Sequence, residues 1–167
     1  RPSGRSQEIQ RLVGRALRAA VRRPLLGERS LTIDCDVLQA DGSTRTASIS
    51  GGWVALVLAL VRMYEQGLLS EWPLERQVAA VAVGLVGGEA RVDLDYGEDL
   101  DCTVDLNLVF THDGHLVEVQ GTAEGAPYRR SELDAMIEVG WTGARQILEV
   151  QRQVVLPRLQ AVGLALP

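Results

Sequence analysis

The chain has 167 residues, 46% hydrophobic and 23% charged, with a formal net charge of −5. That length carries one compact domain or two small lobes, with a core large enough to need no disulfide or metal staples. The negative balance excludes indiscriminate nucleic-acid binding, and the longest apolar run, residues 53–61, is too short to span a bilayer and meets Arg62 at once. No membrane role is therefore expected. No secretory leader is visible, and an opening on Arg1 rather than Met leads to the expectation of a piece of a longer chain. Cys35 and Cys102 fall within apparent strands, without metal-like spacing, and read as buried free thiols suited to a reducing cytoplasm. The cations are all arginine, which fits either the codon bias of a GC-rich genome or selection for bidentate phosphate contacts.

In chain order, residues 6–22 are expected to form the first helix. Ile9, Leu12, Val13, Ala16, Leu17, Ala20 and Val21 recur at three and four and build one apolar face. Arg11, Arg15, Arg18 and Arg22 form a stripe on another side, either a solvated face or a subunit or RNA contact. Arg5 stands at the helix start, where free N–H groups and the helix dipole favour an anion. Residues 31–37 alternate as a strand. The Asp41-Gly42 turn predicts a hairpin that pairs residue 38 with 45 and 36 with 47. Ser43, Thr44 and Arg45 then sit just past the tip as an anion site, unless Arg45 is simply paired to Asp36. A helix apolar nearly all round follows from Gly51 to about Gln66.

Residues 67–76, with Trp72-Pro73, read as a connection between two lobes, which divides the chain into 1–70 and 71–167. Residues 78–86 form a strand ended by a Gly87-Gly88 turn, followed by a second strand at Val92 and Leu94 and an acidic loop over 96–101. The next strand places Cys102, Val104, Leu106, Leu108 and Phe110 on one face. The Asp113-Gly114 turn sets a register that pairs Asp105 with Thr122, Asn107 with Gln120 and Val109 with Glu118. Asp105 then lies on a mostly polar face. Ser131 and Asp134 suggest the cap of a last helix that Pro157 stops. The fold class is α+β: two lobes of antiparallel hairpins backed by helices, with a cleft between them.

Three groups compete as the seat of chemistry: the anion site at Ser43, Thr44 and Arg45 with Arg5; the carboxylates Asp99 and Asp105, able to hold magnesium or exchange a proton; and His112 and His115 around a turn, read as surface. P-loop, dinucleotide, zinc and nucleophile-elbow patterns are absent from the sequence.

Four stretches are more specific than these spacings. Gly4-Arg-Ser-Gln-Glu-Ile-Gln-Arg-Leu-Val-Gly-Arg15, Asp34-Cys-Asp-Val-Leu-Gln-Ala-Asp-Gly-Ser-Thr-Arg-Thr-Ala-Ser48, Asp95-Tyr-Gly-Glu-Asp99 and Val117-Glu-Val-Gln-Gly-Thr-Ala-Glu-Gly-Ala-Pro127 closely resemble bacterial ribonuclease PH. The likeness runs from residue 4 to about 155. It implies a phosphate-dependent exoribonuclease that trims the 3′ ends of transfer RNA precursors, with inorganic phosphate as co-substrate and magnesium at the site. By the same resemblance Arg5 matches the family's phosphate-binding arginine, and Ser43-Thr44-Arg45 match its Gly-Thr-Arg phosphate loop. Asp99 and Asp105 match its catalytic, magnesium-associated aspartates. The implied partners are RNA and further copies of the chain, in a hexameric ring of dimers.

Two departures bear on these expectations. Serine stands at position 43 where the family has glycine, and the family carries N-terminal strands ahead of the segment that matches Gly4. The strand at 31–37 is therefore expected to lack a neighbour. A non-catalytic subunit of the same fold, contributing RNA binding and ring contacts, is the alternative these departures leave standing.

Overall fold

A computed structural model describes residues 4–167. Its centre is an antiparallel four-stranded sheet of order β2-β1-β3-β4, made of β1 (Val78–Val86), β2 (Glu89–Val92), β3 (Val104–Thr111) and β4 (Leu116–Ala123). The expected register holds: Asp105 faces Thr122, Asn107 faces Gln120 and Val109 faces Glu118, with an irregularity between Val109 and Phe110. Gly87 and Gly88, with φ of 60° and 85°, close the β1–β2 hairpin in the left-handed region that glycine enters without strain.

Both faces of the sheet are covered, which explains why β1 is apolar without alternation. Val81, Val83, Leu85, Leu106, Leu108 and Phe110 pack against α4 (Arg130–Ala161) through Met136 and Ala144. On the opposite face Val78, Ala80 and Val109 meet α1 (Gly4–Ala19) and α2 (Thr44–Glu65), whose Leu12, Ala16, Trp53, Val57 and Leu60 are buried. Buried amides join the layers. Gln151 of α4 donates to the carbonyls of Ser50 and Val78 at 2.9 and 3.0 Å and accepts from Gln77 at 3.0 Å. At 22 residues α2 is long and apolar enough to match a membrane span, which residues 53–61 alone are not. Its apolar residues instead form the core between α1 and the sheet.

Several expectations are corrected here. Residues 31–37 form no strand, and no hairpin follows them. An extended segment is held only when its backbone groups find a ladder, and no strand runs beside this one among the described residues. The alternation still has a use, since Leu31 and Ile33 lie against the core of α1 and α2. With no hairpin to complete, α2 begins at Thr44 rather than Gly51. Cys35 is accordingly exposed; Cys102 is buried, at the end of a short helix rather than in a strand. That helix, α3 (Tyr96–Asp101), replaces the expected acidic loop. A capping box drives it: Asp95 accepts from the Glu98 N–H at 2.8 Å, and Glu98 accepts from the Asp95 N–H at 3.4 Å.

The last helix has its N-cap at Arg129, two residues before the expected cap, with Glu132 accepting from the Arg129 N–H at 2.6 Å. It also runs through Pro157 to Ala161, because Val155 and Leu159 on either side are fully buried and hold the final turn. The arginine stripe of α1 is partly balanced from other elements. Arg15 makes a two-bond fork with Glu118 of β4 at 2.8 and 2.5 Å; α1 ends at Ala19 rather than at the expected residue 22, so Arg22 lies beyond it, paired with Glu75 at 2.9 Å. Arg11 and Arg18 are exposed.

Candidate active site

The residues expected to hold phosphate, Ser43, Thr44 and Arg45, sit at a helix start rather than a hairpin tip. Ser43 is the N-cap of α2, and no side chain caps the first turn, which leaves its leading N–H groups as an anion-binding end. Local hydroxyls bond backward: Thr46 donates to the Ser43 carbonyl at 3.0 Å and Ser48 to the Thr44 carbonyl at 2.8 Å. Ser43 itself has φ 56° and ψ 25°, the left-handed region, and its buried Oγ has no partner among the described residues. The resemblance calls for glycine here, and the backbone explains why: a Cβ in this conformation costs about 1–2 kcal/mol. Ser43→Gly is therefore expected to stabilise the fold by up to about 1 kcal/mol after the added freedom of the unfolded chain is deducted. Denaturant midpoints measure this, and an unchanged or lower midpoint would show that the serine sits there without strain.

The turn before α2 is seated against the segment that leads into α3. A Cβ on Gly42 would stand 2.8 Å from the Leu94 carbonyl oxygen, so only glycine admits this approach. Leu94 in turn fills the space over Gly84 of β1, the residue opposite Asp105, where a Cβ would meet its side chain at 2.4 Å. Two glycines thus bring the start of α2, the approach to α3 and the Asp105 position of β3 together.

Arg45 is half-buried. Its Nη2 donates to Glu8 of α1 at 3.1 Å, not to Asp36, and its buried Nε has no partner among the described residues. Glu8 also accepts from Gln120 Nε2 at 3.1 Å. Its carboxyl is held below the usual range, first by the Gln120 hydrogen bond and then by Arg45, with Arg5 adding to this against the opposing effect of burial. Arg5, exposed in the first turn of α1, thereby belongs to the same electrostatic neighbourhood.

Asp105 lies on the sheet face that α1 and α2 cover, with Asn107 and Gln120. Burial raises its carboxyl pKa, the nearby charges of Asp99 and Glu124 add to the rise, and Arg45 opposes it. Asp99 is on exposed α3. Burial also pushes the Cys102 thiol up, with Asp105, Asp99 and Glu124 contributing, a second sign that the carboxylates crowd one place. His115 lies 2.9 Å from Asp113 on the turn after β3 and is largely exposed, as expected of surface.

Arg5, Arg45, Asp99 and Asp105 are therefore linked through one electrostatic neighbourhood, with Ser43 and Thr44 beside Arg45 at the start of α2, and the two histidines lie outside it. Glu8, Gln120 and Glu124 were not singled out as site residues. The register already placed Gln120 on the face of Asp105, and Glu8 stands one helical turn from Arg5; those were the available signals.

Comparison with known proteins bears on this arrangement. The model described as 3′ exoribonuclease family, domain 1, matches residues 1–62, and that for domain 2 of the same family matches residues 76–143. Ribonuclease PH of a Synechococcus strain is 56% identical over 151 residues, and Ribonuclease PH of Prochlorococcus marinus 52% identical over 154. These alignments take in 90% and 92% of this chain but only 61% and 63% of the relatives. The chain thus spans less than two thirds of the length of the curated relatives it matches. Among solved structures, an archaeal exosome core is similar with a TM-score of 0.65 at 22% identity, over 90% of this chain and 65% of that one. An Archaeoglobus fulgidus exosome with RNA bound to its active site gives 0.64 at 22% identity, over 90% and 63%. At such identities the likeness is one of fold.

Proposed function

Since this chain belongs to the ribonuclease PH family of 3′ exoribonucleases, we propose that it is a phosphate-dependent 3′-to-5′ exoribonuclease, a nucleotidyltransferase that trims transfer RNA precursors. The observation that carries this reading is the meeting of an uncapped helix start and Arg45 with a carboxyl, Asp105, whose proton is held more tightly than usual. One part suits an anionic nucleophile and the other suits proton transfer. On this reading residues 1–70 hold the phosphate and residues 71–167 supply the carboxylates.

Inorganic phosphate sits against the first N–H groups of α2, with Arg45 and Arg5 screening its repulsion from the RNA and with Thr44 and Ser43 orienting it. A phosphate oxygen attacks the last phosphodiester phosphorus. The bond from phosphorus to the 3′ oxygen of the preceding nucleotide breaks, and that oxygen takes a proton from Asp105. The shortened RNA keeps a 3′ hydroxyl, and the terminal nucleotide leaves as a nucleoside diphosphate. Positioning and charge neutralisation supply most of the rate in such a displacement.

Magnesium fits the donor set in a limited way. Asp99 and Asp105 are close enough for the charge of Asp99 to raise Asp105, and magnesium takes one or two carboxylates with substrate phosphates and water. No cluster of three metal-ligating side chains exists among the described residues. Asp99 would hold the ion through its carboxylate, leaving Asp105 to carry the proton, and magnesium when bound supplies charge neutralisation at the phosphates.

The partners on this reading are RNA 3′ ends and other copies of the chain in a cytoplasmic hexameric ring of dimers. The non-catalytic alternative draws its support from Ser43, whose Cβ occupies a position the family keeps for glycine. One assay separates the two: a short 3′-hydroxyl RNA is incubated with and without phosphate. Nucleoside diphosphate appearing only with phosphate is the expected result. RNA binding without any product would establish the alternative, and nucleoside monophosphate without phosphate would overturn both mechanisms.

A further inference from the structure

Arg45 is the one charged side chain of the phosphate loop, yet its orientation is set by elements far away in sequence. Its Nη2 donates to Glu8 Oε2 at 3.1 Å, and the other Glu8 oxygen accepts from Gln120 Nε2 at 3.1 Å. Glu8 is on α1 and Gln120 on β4, so this relay crosses three elements. A second rung fixes the same two elements: Arg15, two turns further along α1, forks onto Glu118, two residues before Gln120 on β4. The Arg15 rung ties the same two elements, α1 and β4, that carry Glu8 and Gln120. Meanwhile, among the described residues, the buried Arg45 Nε has no partner, and neither has the Ser43 Oγ.

We propose that Glu8, held by Gln120, is a positioning residue for the phosphate co-substrate: it binds one end of the Arg45 fork and presents the remaining donors to the anion. The inference rests on the phosphate reading given above. A guanidinium gains from a carboxylate anchor because its planar fork, once oriented, offers the other donors in fixed geometry. The same carboxylate places negative charge near an anion. Geometry and charge therefore act in opposite directions here, and two substitutions separate them. Glu8→Ala releases Arg45. Glu8→Gln keeps an acceptor for Arg45 and removes the charge; its amide nitrogen then faces Gln120, whose side-chain amide turns over so that Oε1, without a partner among the described residues, accepts from it.

The test is phosphorolysis of a short RNA by wild type and both variants across a phosphate series, with thermal melts in parallel. Glu8→Ala is expected to raise the KM for phosphate about tenfold, the effect of one lost charge-assisted contact, with kcat changed much less. Glu8→Gln is expected to bring that KM back to the wild-type value or below it. An unchanged phosphate KM in Glu8→Ala overturns the inference. So does a Glu8→Gln variant as impaired as Glu8→Ala, or a loss confined to kcat and melting temperature. A wild type that shows no dependence on phosphate fails the underlying reading instead, and is recognised before either variant is compared.

Discussion

Asp105→Asn is expected to slow phosphorolysis by about 10²–10⁴-fold, the range for a lost acid-base group, while RNA affinity stays within a few fold. Asparagine keeps the shape of the side chain on β3 and its place opposite Gly84 and Thr122, but it has no proton to give the leaving 3′ oxygen. The pH dependence follows from the raised pKa, caused first by burial and then by Asp99. An acid of this kind works in its protonated form, so the rate limited by Asp105 should fall as pH rises through its folded pKa. Equal losses in turnover and RNA binding would point to a structural role.

The same substitution should make the protein more stable at neutral pH. A carboxyl whose folded pKa lies above its unfolded value binds its proton more tightly in the folded state. Ionising it therefore costs folding stability. The cost is absent below the ordinary value of 3.8, where both states are protonated, grows as pH rises, and is complete above the folded pKa. Asp105→Asn should accordingly melt higher than wild type at pH 7 and alike at about pH 3. Gain of stability with loss of turnover is the pattern of a group retained for chemistry. A lower melting temperature at pH 7 would contradict it.

Arg45→Ala is expected to weaken phosphate use about ten- to a hundredfold, corresponding to about 1.5–3 kcal/mol for a lost charge-assisted contact. The loss has two parts. The anion loses a cation, and Glu8 is left beside the site with its charge unopposed by Arg45. Arg45 also opposes the rise in the Asp105 pKa, so its removal should move the Asp105-dependent limb of the pH profile to higher pH. Phosphate KM and that limb are read in one set of assays. A phosphate KM that does not change would remove Arg45 from the phosphate site.

The parts of the fold written in local pattern were legible. The β3–β4 register follows from a period of two and the Asp113-Gly114 turn, since a slip of one residue would turn Leu106, Leu108 and Phe110 out of the core. The helical period at Leu12, Val13, Ala16 and Leu17 located α1. The four quoted stretches carried the family resemblance and with it Arg5, Arg45, Asp99 and Asp105, because blocks of side-chain identity survive without any knowledge of which element bears them.

What the sequence alone left open is concentrated between residues 31 and 50, where local preference and tertiary packing disagree. Alternation at 31–37 and the Asp-Gly turn favour a hairpin, and the Thr and Ser residues over 44–50 are indifferent helix formers. The helix prevails because its inward face finds the sheet: Ser50 Oγ accepts from the Ala80 N–H at 3.0 Å, and Ile49 and Trp53 are fully buried. No such partner exists for a strand at 31–37 among the described residues. The ion pair of Arg45 follows the same rule. Asp36 is nearer in sequence, but Glu8 is the carboxylate that α1 delivers once it is docked on β4. The sequence by itself therefore determined the β3–β4 register, the apolar face of α1 and the family resemblance, because each is encoded in short-range pattern. Only the tertiary structure decided that residues 43–45 stand at a helix start, that Glu8 is the carboxylate on Arg45, and that burial raises the Asp105 pKa, because each depends on surfaces that meet only after folding.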